Sequence, residues 1–274
     1  MVNTVNLNRI DRTFQRLKER HGKALITYVM AGDPYLEKTR KIILALEEGG
    51  ADIIELGVPF TDPLADGPVI QKAAERGLKS KTDIAGILKM VREVRFKTEI
   101  PIILMSYYNL ILQYGEEKFA LQAAESGVDG IIIPDLPAGE SESWPVSAND
   151  AGLKTIYLLA PTSSVRRIKI VSEVSSGFIY YVALTGITGA KLNATHEIGK
   201  KIEAIRKESP LPVASGFGIS TPEEAYKISR SADGIIIGSA IVRKIEQTPP
   251  SILLPSLKRY IRSLKRALNP ELHL

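Results

Sequence analysis

Two stretches of this chain, GIIIPD at 130–135 and GIIIGSAIV at 234–242, are apolar residue after residue with no polar alternation. A strand with one wet face alternates, so a run that does not alternate must be covered on both faces, as in a parallel sheet clothed by helices. Similar short segments rich in β-branched residues recur at 24–31, 52–58, 101–108, 154–160, 178–184 and 212–217, which makes eight in all. Helical patterns lie between them, at 35–49, 82–97, 115–126 and 195–208, with start signals at Asp33-Pro34, Thr82-Asp83 and Thr221-Pro222. Gly49-Gly50, Gly127 and Gly152 fall where a helix hands over to a strand, the place for a left-handed C-cap. Strand and helix in alternation admit an open doubly wound sheet or a closed barrel. Eight units in 274 residues is the size of a (β/α)8 TIM barrel, and residues 1–274 are read as one such domain with an added N-terminal helix.

Composition narrows the chemistry. The +5 formal charge is spread over helix faces rather than gathered in one block, which gives little support for nucleic-acid binding. Without cysteine there is no disulfide or thiolate site, and His21, His196 and His273 are too scattered to suggest a zinc cluster, so metal-free chemistry is expected. The first twenty residues carry charges throughout and lack a signal peptide's apolar core, and no apolar run approaches a bilayer's thickness. A cytoplasmic protein is expected.

In a barrel the chemistry gathers at the C-terminal ends of the strands. Glu55 sits inside the apolar second strand, where an unpaired carboxylate is costly; desolvation there raises its pKa and suits it to donate a proton near neutrality. The loop that follows, VPFTDPLADGP, has three prolines and is expected to be structured. Asp62 is read as a turn former, whereas local chemistry leaves Asp66 balanced between turn and active-site roles. Late in the chain three glycine loops, TGITGAK (185–191), ASGFGIS (214–220) and GSA (238–240), each follow an expected strand. Glycine lets backbone N–H groups approach an anion, and barrels often bind phosphate after strands seven and eight. Of Tyr180 and Tyr181, alternation turns one inward and the other toward the helices. The basic amphipathic SLKRYIRSLKRAL could suit a membrane or calmodulin, but a barrel's closing helix has the same pattern.

Taken together, AGDP (31–34), ELGVPFTDPLADGP (55–68), PDLP (134–137), YYVALTGITGA (180–190), GFGIS (216–220) and GSAIV (238–242) resemble the tryptophan synthase alpha-subunit family, in its order, from about residue 24 to 242. The resemblance implies retro-aldol cleavage of indole-3-glycerol phosphate to indole and glyceraldehyde 3-phosphate in tryptophan biosynthesis. It makes Glu55 the acid/base and Asp66 the partner of the indole N–H. Phosphate contacts map onto Gly189, Gly218, Gly238 and Ser239, an indole pocket onto Tyr28, Tyr107 and Phe217, and Tyr180 lies beside the carboxylates. It also implies a beta subunit in an alpha2-beta2 heterotetramer, with pyridoxal phosphate on beta and no cofactor here. The contact rim would be 59–62, Tyr108-Asn109 and 134–137. Thr61 stands where many members have serine, Tyr28 where phenylalanine is common, and Leu184 where some bacterial members carry arginine. The glycine loops taken alone also suit barrels that isomerise sugar phosphates, and a non-catalytic activator of a partner is a further reading.

Overall fold

The computed structural model describes residues 7–183, 191–216 and 218–269, the side chains of 191–194 excepted. Its elements alternate as α1 (Arg9–Glu19), β1 (Ala24–Met30), α2 (Leu36–Gly49), β2 (Ile53–Gly57), α3 (Pro68–Lys79), α4 (Ile84–Arg95), β3 (Ile102–Met105), α5 (Tyr108–Tyr114), α6 (Glu116–Ser126), β4 (Gly130–Ile132) and α7 (Ser143–Asp150). There follow β5 (Lys154–Ile156), β6 (Leu158–Leu159), α8 (Val165–Val174), β7 (Ile179–Val182), α9 (Lys191–Glu208), β8 (Val213–Gly216), α10 (Pro222–Ser229), β9 (Gly234–Ile237), α11 (Ser239–Gln247) and α12 (Leu253–Leu268).

All the strand pairs are parallel, in the order β5-β4-β3-β2-β1-β9-β8-β7-β6. The two ends of that order, β5 and β6, are separated by Tyr157 alone. They are halves of one strand, so the sheet closes on itself with eight strand positions, a TIM barrel.

Pleating sorts the side chains into two cores. Ile26, Ile53, Ile103, Ile132, Ile156, Phe178, Ala214 and Ile236 fill the barrel, while Leu25, Ile54, Leu104, Ile131, Tyr181 and Ile235 face outward to the helices. Tyr180 turns inward and Tyr181 outward, as the alternation predicts. The N-terminal end is closed by α1. Asn8 starts this helix by accepting the Ile10 N–H at 2.9 Å, and Ile10, Phe14 and Leu17 then pack into the inner core, with Phe14 and Phe178 ring centroids 5.6 Å apart. At about 2 kcal/mol for each such buried side chain, this face is enough to hold the helix in place.

Several boundaries move. The third strand stops at Met105 and Tyr108 opens a helix, and the eighth stops at Ile237 because Gly238 caps α11. Continuous apolar letters run through such a junction unchanged when an inward strand passes into a buried helix. Asp83 and Thr221 cap α4 and α10 through their side chains, Thr221 within a full capping box. Asp33 caps nothing: the N-cap of α2 is Tyr35, which makes no side-chain cap bond. Gly50 and Gly127 adopt the left-handed C-cap, and Gly152 has φ of 76°. Gly49 instead ends α2 in helical geometry, where a Cβ would come within 2.8 Å of Ile261 on α12. That helix buries Leu257, Ile261, Leu264 and Leu268, so the C-terminal pattern is a closing helix. No described helix is long and apolar enough to cross a membrane.

Candidate active site

Glu55 is the middle residue of β2, and its register partners are Tyr28 on β1 and Ile103 on β3. It is 1% exposed and points into the upper barrel, where Oε2 meets no hydrogen-bond partner among the described residues. A carboxylate in that position is costly, so burial first, and the nearby negative charge of Asp66 second, push its pKa up from 4.5 to about 8. At neutral pH Glu55 holds its proton.

Room for two tyrosines beside it comes from two glycines. A Cβ on Gly57 would stand 2.2 Å from the Tyr28 hydroxyl, and one on Gly216 would stand 2.7 Å from that of Tyr180. The Tyr28 ring is buried and the Tyr180 ring half-buried, and both hydroxyls are pushed well above the ordinary tyrosine value, first by desolvation and then by the charges of Glu55 and Asp66. They remain neutral phenols.

Asp66 arrives from the loop after β2. Asp66 donates its backbone N–H to the Pro63 carbonyl at 3.0 Å, while Gln71 in the first turn of α3 bonds its carbonyl at 2.8 Å. The side chain accepts from the Tyr107 hydroxyl at 3.1 Å, and the same hydroxyl accepts the Ala65 N–H at 3.0 Å. Tyr107, just after β3, is held in turn by stacking on Phe60 at 5.1 Å. Desolvation raises the Asp66 pKa from 3.8 to about 6, against the opposing bond from Tyr107. It therefore stays ionised at pH 7. Asp62 is exposed and takes a 2.6 Å bond from the Thr61 hydroxyl, a side-chain contact and not the bond to its own backbone expected of a turn former.

The two later glycine loops sit on adjacent strands at one level, and residues 185–190 of the first lie outside the described residues. Gly216 pairs with Ile236, so Gly218 and Gly238 each follow two residues beyond paired positions. Gly218 has φ of +44°, and Gly238 is the N-cap of α11, whose first residue is Ser239. Ile237 pairs with Thr27, which brings Gly238 against Tyr28 with an added Cβ 3.4 Å away. Tyr28, Glu55, Asp66, Tyr107, Tyr180, Gly218, Gly238 and Ser239 thus gather at the C-terminal mouth. Gly189, Phe217 and Leu184 lie outside the described residues.

Sequence reading missed Met105, which packs inside the mouth, and the stacking of Phe60 on Tyr107. Alternation along β3 could have found Met105; nothing local signals the stack. It also missed an ion pair from Asp33, 2% exposed, to Arg76 on α3, with bonds of 2.7 and 2.8 Å. A neutral carboxylic acid beside an ionised carboxylate can protonate an electron-rich substrate and stabilise the cation that results.

Comparison with known proteins agrees in extent and detail. The sequence pattern of the tryptophan synthase alpha chain family matches residues 14–267. The tryptophan synthase alpha chains of Citrifermentans bemidjiense and Geotalea daltonii are 46% and 47% identical to this chain over 262 residues, covering 96% of it and 98% and 99% of the relatives. The crystal structure of tryptophan synthase subunit alpha from Legionella pneumophila superposes with a TM-score of 0.90 at 38% identity, covering 96% of this chain and 99% of that one. With a family pattern spanning nearly all of the barrel and relatives aligned from end to end, this chain belongs to the tryptophan synthase alpha chain family.

Proposed function

We propose that this chain is a carbon–carbon lyase that cleaves indole-3-glycerol phosphate to indole and glyceraldehyde 3-phosphate. The observation that carries the reading is the pair of carboxylates at the mouth, Glu55 buried with Oε2 unpartnered among the described residues and Asp66 bonded by the Tyr107 hydroxyl; desolvation pushes the first to about 8 and the second to about 6, so that near pH 7 one is an acid and the other an anion. Glu55 gives its proton to indole C3, because the ring is otherwise a poor leaving carbanion. Asp66, ionised and bonded to the ring N–H, stabilises the cationic ring as it develops. The Glu55 carboxylate left by that transfer takes the proton of the side-chain hydroxyl as the aldehyde carbonyl forms; the bond to C3 breaks, its electron pair returns to the ring, and Glu55 is again the acid. No step requires a Schiff-base lysine or a metal.

Tyr28, Tyr107 and Phe217 flank the indole, with Tyr180 beside the carboxylates, while Gly189, Gly218, Gly238 and Ser239 bind the phosphate. Held at both ends, the substrate has little freedom left to lose on the way to the transition state. The chain works without a cofactor of its own in the cytoplasm. It supplies indole to a pyridoxal-phosphate-dependent beta subunit in an alpha2-beta2 assembly, docked on the rim formed by 59–62, Tyr108-Asn109 and 134–137. Exposure of Thr61, Asp62 and Asn109 on that rim, beside a 95% exposed Leu64, supports this docking.

The test is indole release from indole-3-glycerol phosphate, titrated with beta subunit, for the parent and Glu55→Gln. Indole from the parent that rises with beta is expected, with the variant below about a tenth of the parent rate, a barrier higher by at least about 1.4 kcal/mol. A variant at or above a tenth would remove Glu55 from the acid role.

A further inference from the structure

Asp66 rides on the start of α3. Its carbonyl is bonded by Gln71 in the first turn, and helix α3 begins two residues later at Pro68. Yet Val69 and Ile70 in the first turn of α3 are only partly buried, and the side chains it buries in full, Ala73, Ala74 and Gly77, are small. What they allow is close approach: a Cβ on Gly77 would lie 2.7 Å from the Ala31 carbonyl at the end of β1. Directly beside Gly77, Arg76 makes the polar tie. Its Nε and Nη2 fork onto the two oxygens of buried Asp33, at 2.7 and 2.8 Å, and its Nη1 reaches Glu246 Oε1 at 2.7 Å. A planar guanidinium with donors on three sides suits such a junction, and a lysine could not reproduce it.

Glu246 lies in the last turn of α11, the nine-residue helix that begins with Gly238 as its cap and Ser239 as its first residue. One side chain therefore joins the loop after β1, the helix that carries Asp66 and the helix whose start forms the phosphate cradle. We infer that Arg76 is a positioning residue that couples the carboxylate end of the site to its phosphate end, an inference that rests on the function proposed above. Ligand at the phosphate end draws in the start of α11; through Glu246 and Arg76 that displacement reaches α3 and sets Asp66 against the indole ring. Arg76 touches no substrate in this scheme. Misplacement of a reacting group by about an ångström is enough to cost a hundredfold in rate, so a tie of this kind bears directly on turnover.

The experiment uses the full chain with two probes, indole and glycerol phosphate, each titrated alone and then indole in saturating glycerol phosphate. In the parent, glycerol phosphate is expected to tighten indole binding about fivefold or more. Glu246→Gln leaves the Asp33 fork in place; it should change each probe's separate Kd by less than about threefold while cutting the coupling to about twofold or less. Arg76→Lys, which keeps the charge and loses the fork, should not restore the coupling, and its kcat should fall about tenfold with KM changed far less. Coupling retained in both variants, or absent from a parent that binds both probes, overturns the role of Arg76 alone. A parent that binds neither glycerol phosphate nor indole overturns the proposed function, and the coupling with it.

Discussion

Replacing Glu55 by Gln keeps the shape of the buried side chain and removes its titration. In the parent, the folded state holds the Glu55 proton up to about pH 8, whereas the unfolded chain releases it near 4.5. Below 4.5 both states hold the proton, and parent and variant differ by a constant. Between 4.5 and about 8 only the folded state holds it, so the parent loses about 1.4 kcal/mol of stability relative to the variant for each pH unit. Above about 8 both states are ionised and the gap levels off near a ceiling of about 5 kcal/mol. Asp66 titrates in the folded state near 6 and is common to both proteins, so the clean window runs from about 6 to about 8. Two pH units there are worth about 2 kcal/mol, since the slope flattens as Glu55 begins to ionise in the folded state near pH 8. Urea unfolding of parent and Glu55→Gln at pH 6 and pH 8 reads this difference directly. The same proton should appear in the pH profile of kcat/KM, with an alkaline limb near 8 where the acid is lost and an acid limb near 6 where Asp66 is protonated. Parallel stability curves, with the gap changing by less than about 1 kcal/mol over the window, would refute the buried-acid account.

Tyr107→Phe removes the donor that opposes the rise of the Asp66 pKa, so the acid limb of the profile should move upward. It also orphans the Ala65 N–H, at a cost of about 1 kcal/mol in urea unfolding. Gly57→Ala drives a methyl to within 2.2 Å of the Tyr28 hydroxyl and should lower stability by about 1–3 kcal/mol, with activity falling as Tyr28 is displaced. Adding Tyr28→Phe to that variant, which removes the nearest atom, should recover part of the loss; no recovery would mean that the clash is with the ring or the backbone.

Features that depend on period and punctuation were legible from the letters. The eight strand positions follow from unalternating runs, the caps of α4 and α10 from Asp83 and Thr221, and the inward turn of Glu55 and of one member of the Tyr180-Tyr181 pair from pleating. What stayed hidden depends on partners far apart in the chain. Asp66 and Tyr107 are 41 residues apart, and Arg76 and Glu246 are 170 apart; only closure of the barrel makes either pair neighbours. Asp33 shows how local rules mislead: an aspartate before proline reads as a helix start, yet a buried carboxylate that can reach a guanidinium satisfies itself there instead. The break at Tyr157 was equally silent, because one residue outside the ladder leaves the composition of an apolar strand unchanged.

With Ile10, Phe14 and Leu17 of α1 packed beneath the inner ring of isoleucines, the barrel is a cup and not a tube. Among the described residues that end is filled by packed side chains, so the doorway for substrate, solvent and both products is the opposite rim, beside Asp66 and Gly238. A body resting across that doorway governs all exchange with bulk water at once. For a small apolar product, the space behind such a body becomes the next compartment, and the floor laid by α1 gives the flow its single direction.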